Sequence, residues 1–118
     1  MPDLPPVTVV EMREYLSAVG KLMDEADQAL LVDYLAYNTS AGDLIPGTGG
    51  VRKLRWALEG RGKRGGARVI YFYHDRNMPL FLLTAYAKNE RSDISEQEKK
   101  ALKQITILLV ETYRDRRR

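Results

Sequence analysis

Three strand-like runs follow one another with very little chain between them, and this arrangement restricts the fold more than any other feature. From Val51 to Glu59, Leu54, Trp56 and Leu58 alternate with Lys53, Arg55 and Ala57, the two-residue period of a β-strand. Ala67 to His74 is rich in β-branched and aromatic residues, and Leu80 to Lys88 makes a third run of the same kind. The glycine-rich basic stretch Gly60 to Gly66 joins the first run to the second. The turn Arg76-Asn77-Met78-Pro79 joins the second to the third. Parallel neighbours need a crossover of roughly a dozen residues or more, so strands this closely linked pair antiparallel.

The flanking segments supply what such a sheet packs against. Val7 to Met12 is a β-branched run after a proline-rich start and reads as a first or edge strand. Tyr15, Leu16, Val19, Leu22 and Met23 have helical spacing, although Gly20 weakens that helix by roughly 1 kcal/mol. Asp24 is placed to cap a second helix, with Asp27 in its first turn. Along that helix Ala26, Leu30, Tyr34 and Tyr37 form one stripe, with Ala29, Leu31 and Leu35 beside it, and the stripe is expected to be core. The two helices suggest a helical hairpin. Asn38 to Gly50, with four glycines and one proline, reads as a loop. Ser95 and Glu98 have capping-box spacing ahead of a last helix striped by Leu102, Ile105, Leu109 and Tyr113. Its run Ile105 to Val110 is apolar beyond one face, as expected of a helix covered on two sides. The 118 residues suit one domain, 1–118. The expectation is an α+β fold, with an antiparallel or mixed sheet of about four strands packed by two N-terminal helices and a C-terminal helix.

Charge is distributed unevenly. Residues 1–51 carry Arg13 and Lys21 against eight carboxylates, whereas residues 52–68 carry seven cations against Glu59 alone. A concentrated basic segment attracts phosphate and speeds association with nucleic acid. There is no cysteine, which excludes disulfides and thiolate metal sites, and one histidine does not make a zinc site. No metal and no cofactor are expected. The start of the chain lacks a basic segment followed by an apolar one, and no apolar run approaches a membrane span, so the expected location is cytoplasmic.

His74, between Tyr73 and Asp75 on a strand, belongs to no triad-like constellation. Gly47-Thr48-Gly49-Gly50 resembles a phosphate-cradling loop but lacks the lysine that such a loop ends on. What remains is a set of cations. Lys53 and Arg55 share a strand face, and Arg68 and Lys88, on the next two strands, converge with them in a suitable register. Fixed guanidinium and ammonium groups stabilise the charge that develops when a ribose 2′-hydroxyl attacks its phosphodiester. Lys53, Arg55, Arg68 and Lys88 are therefore the candidate catalytic residues. Arg52, Arg61, Lys63 and Arg64 around the basic connection, and Tyr86, Asn89 and Arg91 after it, are the candidate RNA contacts, with Tyr86 able to stack on a base.

Gly47 to Trp56, Gly60 to Tyr73 and Tyr86 to Glu90, in that order, resemble the RelE superfamily of toxins, most closely its HigB-like branch. The similarity spans residues 7 to 112 and is densest from 42 to 95. The resemblance implies a microbial ribonuclease-like fold and ribosome-dependent cleavage of messenger RNA in the ribosomal A site. It also implies a type II toxin–antitoxin module with a cognate antitoxin, often a helix-turn-helix DNA-binding protein. Lys53 and Arg55 match the two cations of the family's first central strand, Arg68 its phosphate-stabilising arginine, and Lys88 its basic residue closing the next strand. Asn89 stands where RelE has a further arginine, and Ser95 where it has a catalytic tyrosine. The general acid and base are therefore open, with Lys88, Arg64 and Tyr86 as alternatives. Two other activities are compatible with the pattern: a gyrase inhibitor like ParE of the same superfamily, and a non-enzymatic RNA- or ribosome-binding module.

Overall fold

A computed structural model describes residues 4–58, 66–91 and 93–116. The three central runs form β3 (Val51–Trp56), β4 (Ala67–Phe72) and β5 (Leu80–Ala87), paired antiparallel in sequence order. Arg55 lies opposite Arg68, and Arg68 opposite Tyr86. A register shift at Ile70/Tyr71 marks a bulge between β4 and β5. Residues 75–79 close the turn expected there, with the Asn77 N–H donating to the Asp75 carboxylate at 2.9 Å.

Two short strands complete the sheet, giving the order β1-β5-β4-β3-β2. β1 (Val9–Glu11) is the expected edge strand and runs parallel to β5, which makes the sheet mixed. β2 (Asp43–Leu44) falls inside the segment read as loop and pairs antiparallel with β3. The count is therefore five strands, not about four. Two residues are too few to show alternation, so β2 is set by its partner. Thr48, fully buried, holds the return from β2 to β3. Its hydroxyl donates to the Ile45 carbonyl at 2.7 Å and accepts from the Val51 N–H at 3.1 Å. The Gly47 to Gly50 run is thus a tight turn between strands, with Gly47, Gly49 and Gly50 at positive φ.

α1 (Arg13–Val19) and α2 (Glu25–Tyr37) cover one face of the sheet. Tyr15, Val19, Leu31 and Leu35 meet Leu54, Val69, Tyr71 and Leu82 there. α1 stops at Gly20, short of the Met23 end read from its spacing. Asp24 caps α2 as expected, its carboxylate accepting from the Asp27 N–H at 2.9 Å. The predicted core stripe of α2 is displaced: Leu30, Tyr34 and Tyr37 are exposed, whereas Leu31 and Leu35 are buried. Apolar residues ring this helix, so spacing alone does not select the face that docks.

α3 (Glu96–Arg116) covers the other face with Leu102, Leu109, Val110 and Tyr113, against Val51, Ile70, Phe72 and Phe81. Its capping box forms in full. The Glu98 N–H donates to the Ser95 hydroxyl at 3.1 Å, and the Ser95 N–H donates to the Glu98 carboxylate at 2.8 Å. Ile105 lies at the surface rather than in the core, because the buried position one residue on belongs to Thr106, whose hydroxyl donates to the carbonyls of Lys103 and Thr48. Ile107 and Leu108 are exposed as well.

Candidate functional site

β3 divides its side chains by parity. Leu54 and Trp56 face α1 and α2, so Lys53 and Arg55 face the side of α3. The pairing of Arg55 with Arg68 brings a second guanidinium alongside the first, and Lys88 follows directly on the end of β5, its N–H donating to the Gly66 carbonyl at 3.0 Å. Lys53, Arg55, Arg68 and Lys88, the four candidates, line one cleft of about 380 Å³. Arg68 is nearly buried, while Arg55 is exposed. A fifth cation, Lys99 in the first turn of α3, joins them, and the opposite wall is Asp43 to Pro46.

The other candidates separate. Arg52 has the wrong parity for the cleft. Its guanidinium turns back to the Gly42 carbonyl at 2.7 Å and holds the loop ahead of β2, a structural role. Tyr86 is buried in the second core, and the Arg91 guanidinium covers its ring at 4.4 Å from the centroid, so the face needed for base stacking is occupied. Burial also pushes the Tyr86 phenol above its ordinary range. Arg91 is further committed to Glu98 at 2.8 Å, an ion pair across the start of α3. Asn89 is exposed in the turn after β5. Arg61, Lys63 and Arg64 lie outside the described residues. His74 lines a different hollow, beside Gly49, Lys103 and Arg114.

Asp93 is the cleft residue that charge counting hides. One carboxylate oxygen accepts from the Lys53 ammonium at 3.1 Å and from the Ile94 N–H at 2.8 Å. Those two bonds, the backbone one foremost, hold the carboxyl below its ordinary pKa. Asp43, directly opposite Lys53 in the β2–β3 register, is the second acid of the cleft. Asp93 stands 40 positions from Lys53, and no local signal announces such a pair. Ser95, at the position where the resemblance places a catalytic tyrosine, is committed to the α3 cap.

Chemically, the cleft gathers cations from two strands, the turn after β5 and a helix, an arrangement suited to an anion. A second cavity, about 640 Å³ between β1 and α2, has the opposite character. Glu11, Glu25 and Asp33 rim it with no lysine or arginine among its lining residues, so it repels phosphate. Among the described residues no group of histidine, cysteine and carboxylates is placed to hold a metal ion, and no helix is long and apolar enough to cross a membrane. Compared with models of known protein families, residues 24–116 match the RelE toxin of the RelE/RelB toxin-antitoxin system.

Proposed function

Because the chain belongs to the RelE toxin family, the toxin half of a toxin–antitoxin system with a cognate antitoxin as its partner, we propose that it is an endoribonuclease that cleaves messenger RNA on the translating ribosome. The observation that carries this reading is the convergence of Lys53, Arg55, Arg68 and Lys88 on one cleft.

In this mechanism the scissile phosphodiester lies against the sheet with its non-bridging oxygens toward Arg55 and Arg68. The 2′-oxygen gives up its proton and attacks phosphorus, and a 2′,3′-cyclic phosphate forms as the bond from phosphorus to the 5′-oxygen breaks. That oxygen leaves as a hydroxyl by taking up a proton, so no net proton is gained or lost. Guanidinium groups bind the dianionic phosphorane more strongly than the monoanionic diester, so their stabilisation acts on the rate. Lys53 and Lys88 supply further positive charge at the two bridging oxygens. The ribosome holds the messenger so that attacking oxygen, phosphorus and leaving oxygen come into line, which removes much of the entropic barrier. No metal or cofactor enters the scheme. The antitoxin we assign is a DNA-binding protein of helix-turn-helix type, and the site of action is the cytoplasm.

The test is a cleavage assay on purified ribosomes programmed with a defined messenger, mapping new RNA ends. Wild-type protein is expected to cut in phase with codons. Lys53→Ala and Arg68→Ala are each expected to lower kcat by about 10²–10³-fold, the scale for losing one transition-state donor. Growth arrest with intact messengers and inhibited supercoiling would instead identify a gyrase inhibitor. Ribosome binding unchanged by Arg68→Ala, with no cleavage by wild type, would identify a binding module.

A further inference from the structure

The geometry points to Asp93 as the positioning residue of the cleft: it aims and immobilises the Lys53 ammonium, and through that bond it ties the catalytic strand to the start of α3. This inference rests on the ribonuclease reading above and adds to it a residue from outside the basic strands.

Lys53 projects from β3 into a cleft that also holds Arg55, Arg68, Lys88 and Lys99. Like charges that close repel, and a lysine side chain with four rotatable bonds relieves the repulsion by swinging out to solvent. The Asp93 carboxylate, 3.1 Å from Nζ, is the contact that opposes this. The carboxylate is itself held. Its oxygen takes the Ile94 N–H, Ile94 is buried in the second core, and the next residue is the N-cap of α3. The Arg91–Glu98 ion pair closes the same turn from the other side. An exposed lysine–aspartate pair contributes little to stability by itself, so this one is better explained by placement than by folding.

Two other roles for Asp93 predict different behaviour. A general base at neutral pH works best with a pKa near 7, and Asp93 is held on the acid side of an ordinary carboxylate. A carboxylate that merely stood in for phosphate would compete with RNA, and its removal would tighten binding.

The experiment is steady-state cleavage by the full chain on programmed ribosomes, comparing wild type, Asp93→Asn, Asp93→Glu, Lys53→Met and the Lys53→Met/Asp93→Asn double variant. Asp93→Asn is expected to lower kcat by about 10–100-fold, the range for misplacing a catalytic group by an ångström or less, with KM changed less than about twofold. Asp93→Glu, which keeps the charge on a longer arm, is expected to recover part of the loss. In the Lys53→Met background the Asp93→Asn change should cost nothing further, because a residue acting through Lys53 has nothing left to act on. The double variant also answers the case in which Asp93→Asn weakens folding, since a folding defect would add to the Lys53→Met loss. Additive losses would therefore overturn the inference. So would a lowered KM with unchanged kcat, the mark of a competitor for phosphate. An acid limb of the pH–rate profile that vanishes in Asp93→Asn would make Asp93 the base instead. Equal cleavage by wild type and Asp93→Asn would refute the positioning role alone, whereas no cleavage by wild type would refute the ribonuclease reading beneath it.

Discussion

Tyr71 shows how single residues shape the cleft from a distance. It is fully buried on β4, on the face away from the cations. Its hydroxyl accepts the Gly42 N–H at 2.9 Å and donates to the Thr39 carbonyl at 2.8 Å, so it fastens the loop that leads into β2. Tyr71→Phe would leave both backbone groups without that partner, and urea denaturation is expected to show a loss of about 1–3 kcal/mol. Gly42 is equally constrained, because an added Cβ would stand 2.9 Å from both the Lys53 carbonyl and the Tyr71 ring. At the other end of β3, Gly66 has φ of 59°, and a Cβ there would stand 2.6 Å from the Trp56 carbonyl. Gly66→Ala combines left-handed strain with that clash and is expected to cost at least about 1–3 kcal/mol, read as a lower denaturation midpoint. Lys53 and Arg55 were legible as a pair because parity on a strand follows from spacing alone, whereas bringing Arg68 and Lys88 to them depends on the β3–β4–β5 register. Arg52, a candidate RNA contact rather than one of the four catalytic candidates, lies next to Lys53 in sequence and so points to the opposite face, toward the Gly42 carbonyl. Tyr86 has the correct parity, and only the three-dimensional contact with Arg91 removes its ring from play.

Elements were legible in proportion to their local signals. β3 carries alternation, β4 and β5 are β-branched, aromatic and aliphatic runs, and punctuating turns mark their ends. α3 carries a capping box, and both of its bonds form. β2 carries no signal because two residues have no period, and its existence depends on β3 opposite. α2 was placed correctly but rotated, since Leu30, Tyr34 and Tyr37 make as good a stripe as Leu31 and Leu35. The start of α3 should also be the acid-sensitive part of the fold. Glu98 is held below its ordinary pKa by the Ser95 N–H first and by Arg91 second, and Asp93 by the Ile94 N–H first and by Lys53 second. A carboxyl with a depressed folded pKa stabilises above its unfolded value and loses that contribution as pH falls through the folded one. The attachment of this turn is therefore expected to be complete at neutral pH and to weaken below the unfolded values of 4.5 and 3.8. Amide hydrogen exchange at Ser95 to Glu98, followed from about pH 6 to about pH 3, should speed up relative to the sheet. Glu98→Gln should remove most of that dependence.

On the scale of the molecule, the sheet separates two electrostatic regimes. The cavity rimmed by Glu11, Glu25 and Asp33 lies on the side of α1 and α2, and the cation cleft lies on the side of α3. A field with this polarity turns the cleft toward a polyanion before contact, and salt screens the effect. Affinity for single-stranded RNA is expected to fall linearly in log–log terms between about 50 and 200 mM salt, with a slope near −0.7 for each phosphate neutralised. Filter binding with Lys53→Ala should show that slope reduced by about 0.7. The sheet order was out of reach from sequence, because joining β1 to β5 in parallel depends on contacts across most of the chain. That long reach bears on how the protein is made. Residues that build the cleft run from Asp43 to Lys99, and the first strand finds its partner only when Leu80 to Leu82 are present. A growing polypeptide therefore has no complete cation cleft until synthesis has passed Lys99, in the first turn of α3, so the basic face cannot gather phosphate as a unit while the sheet is still being made.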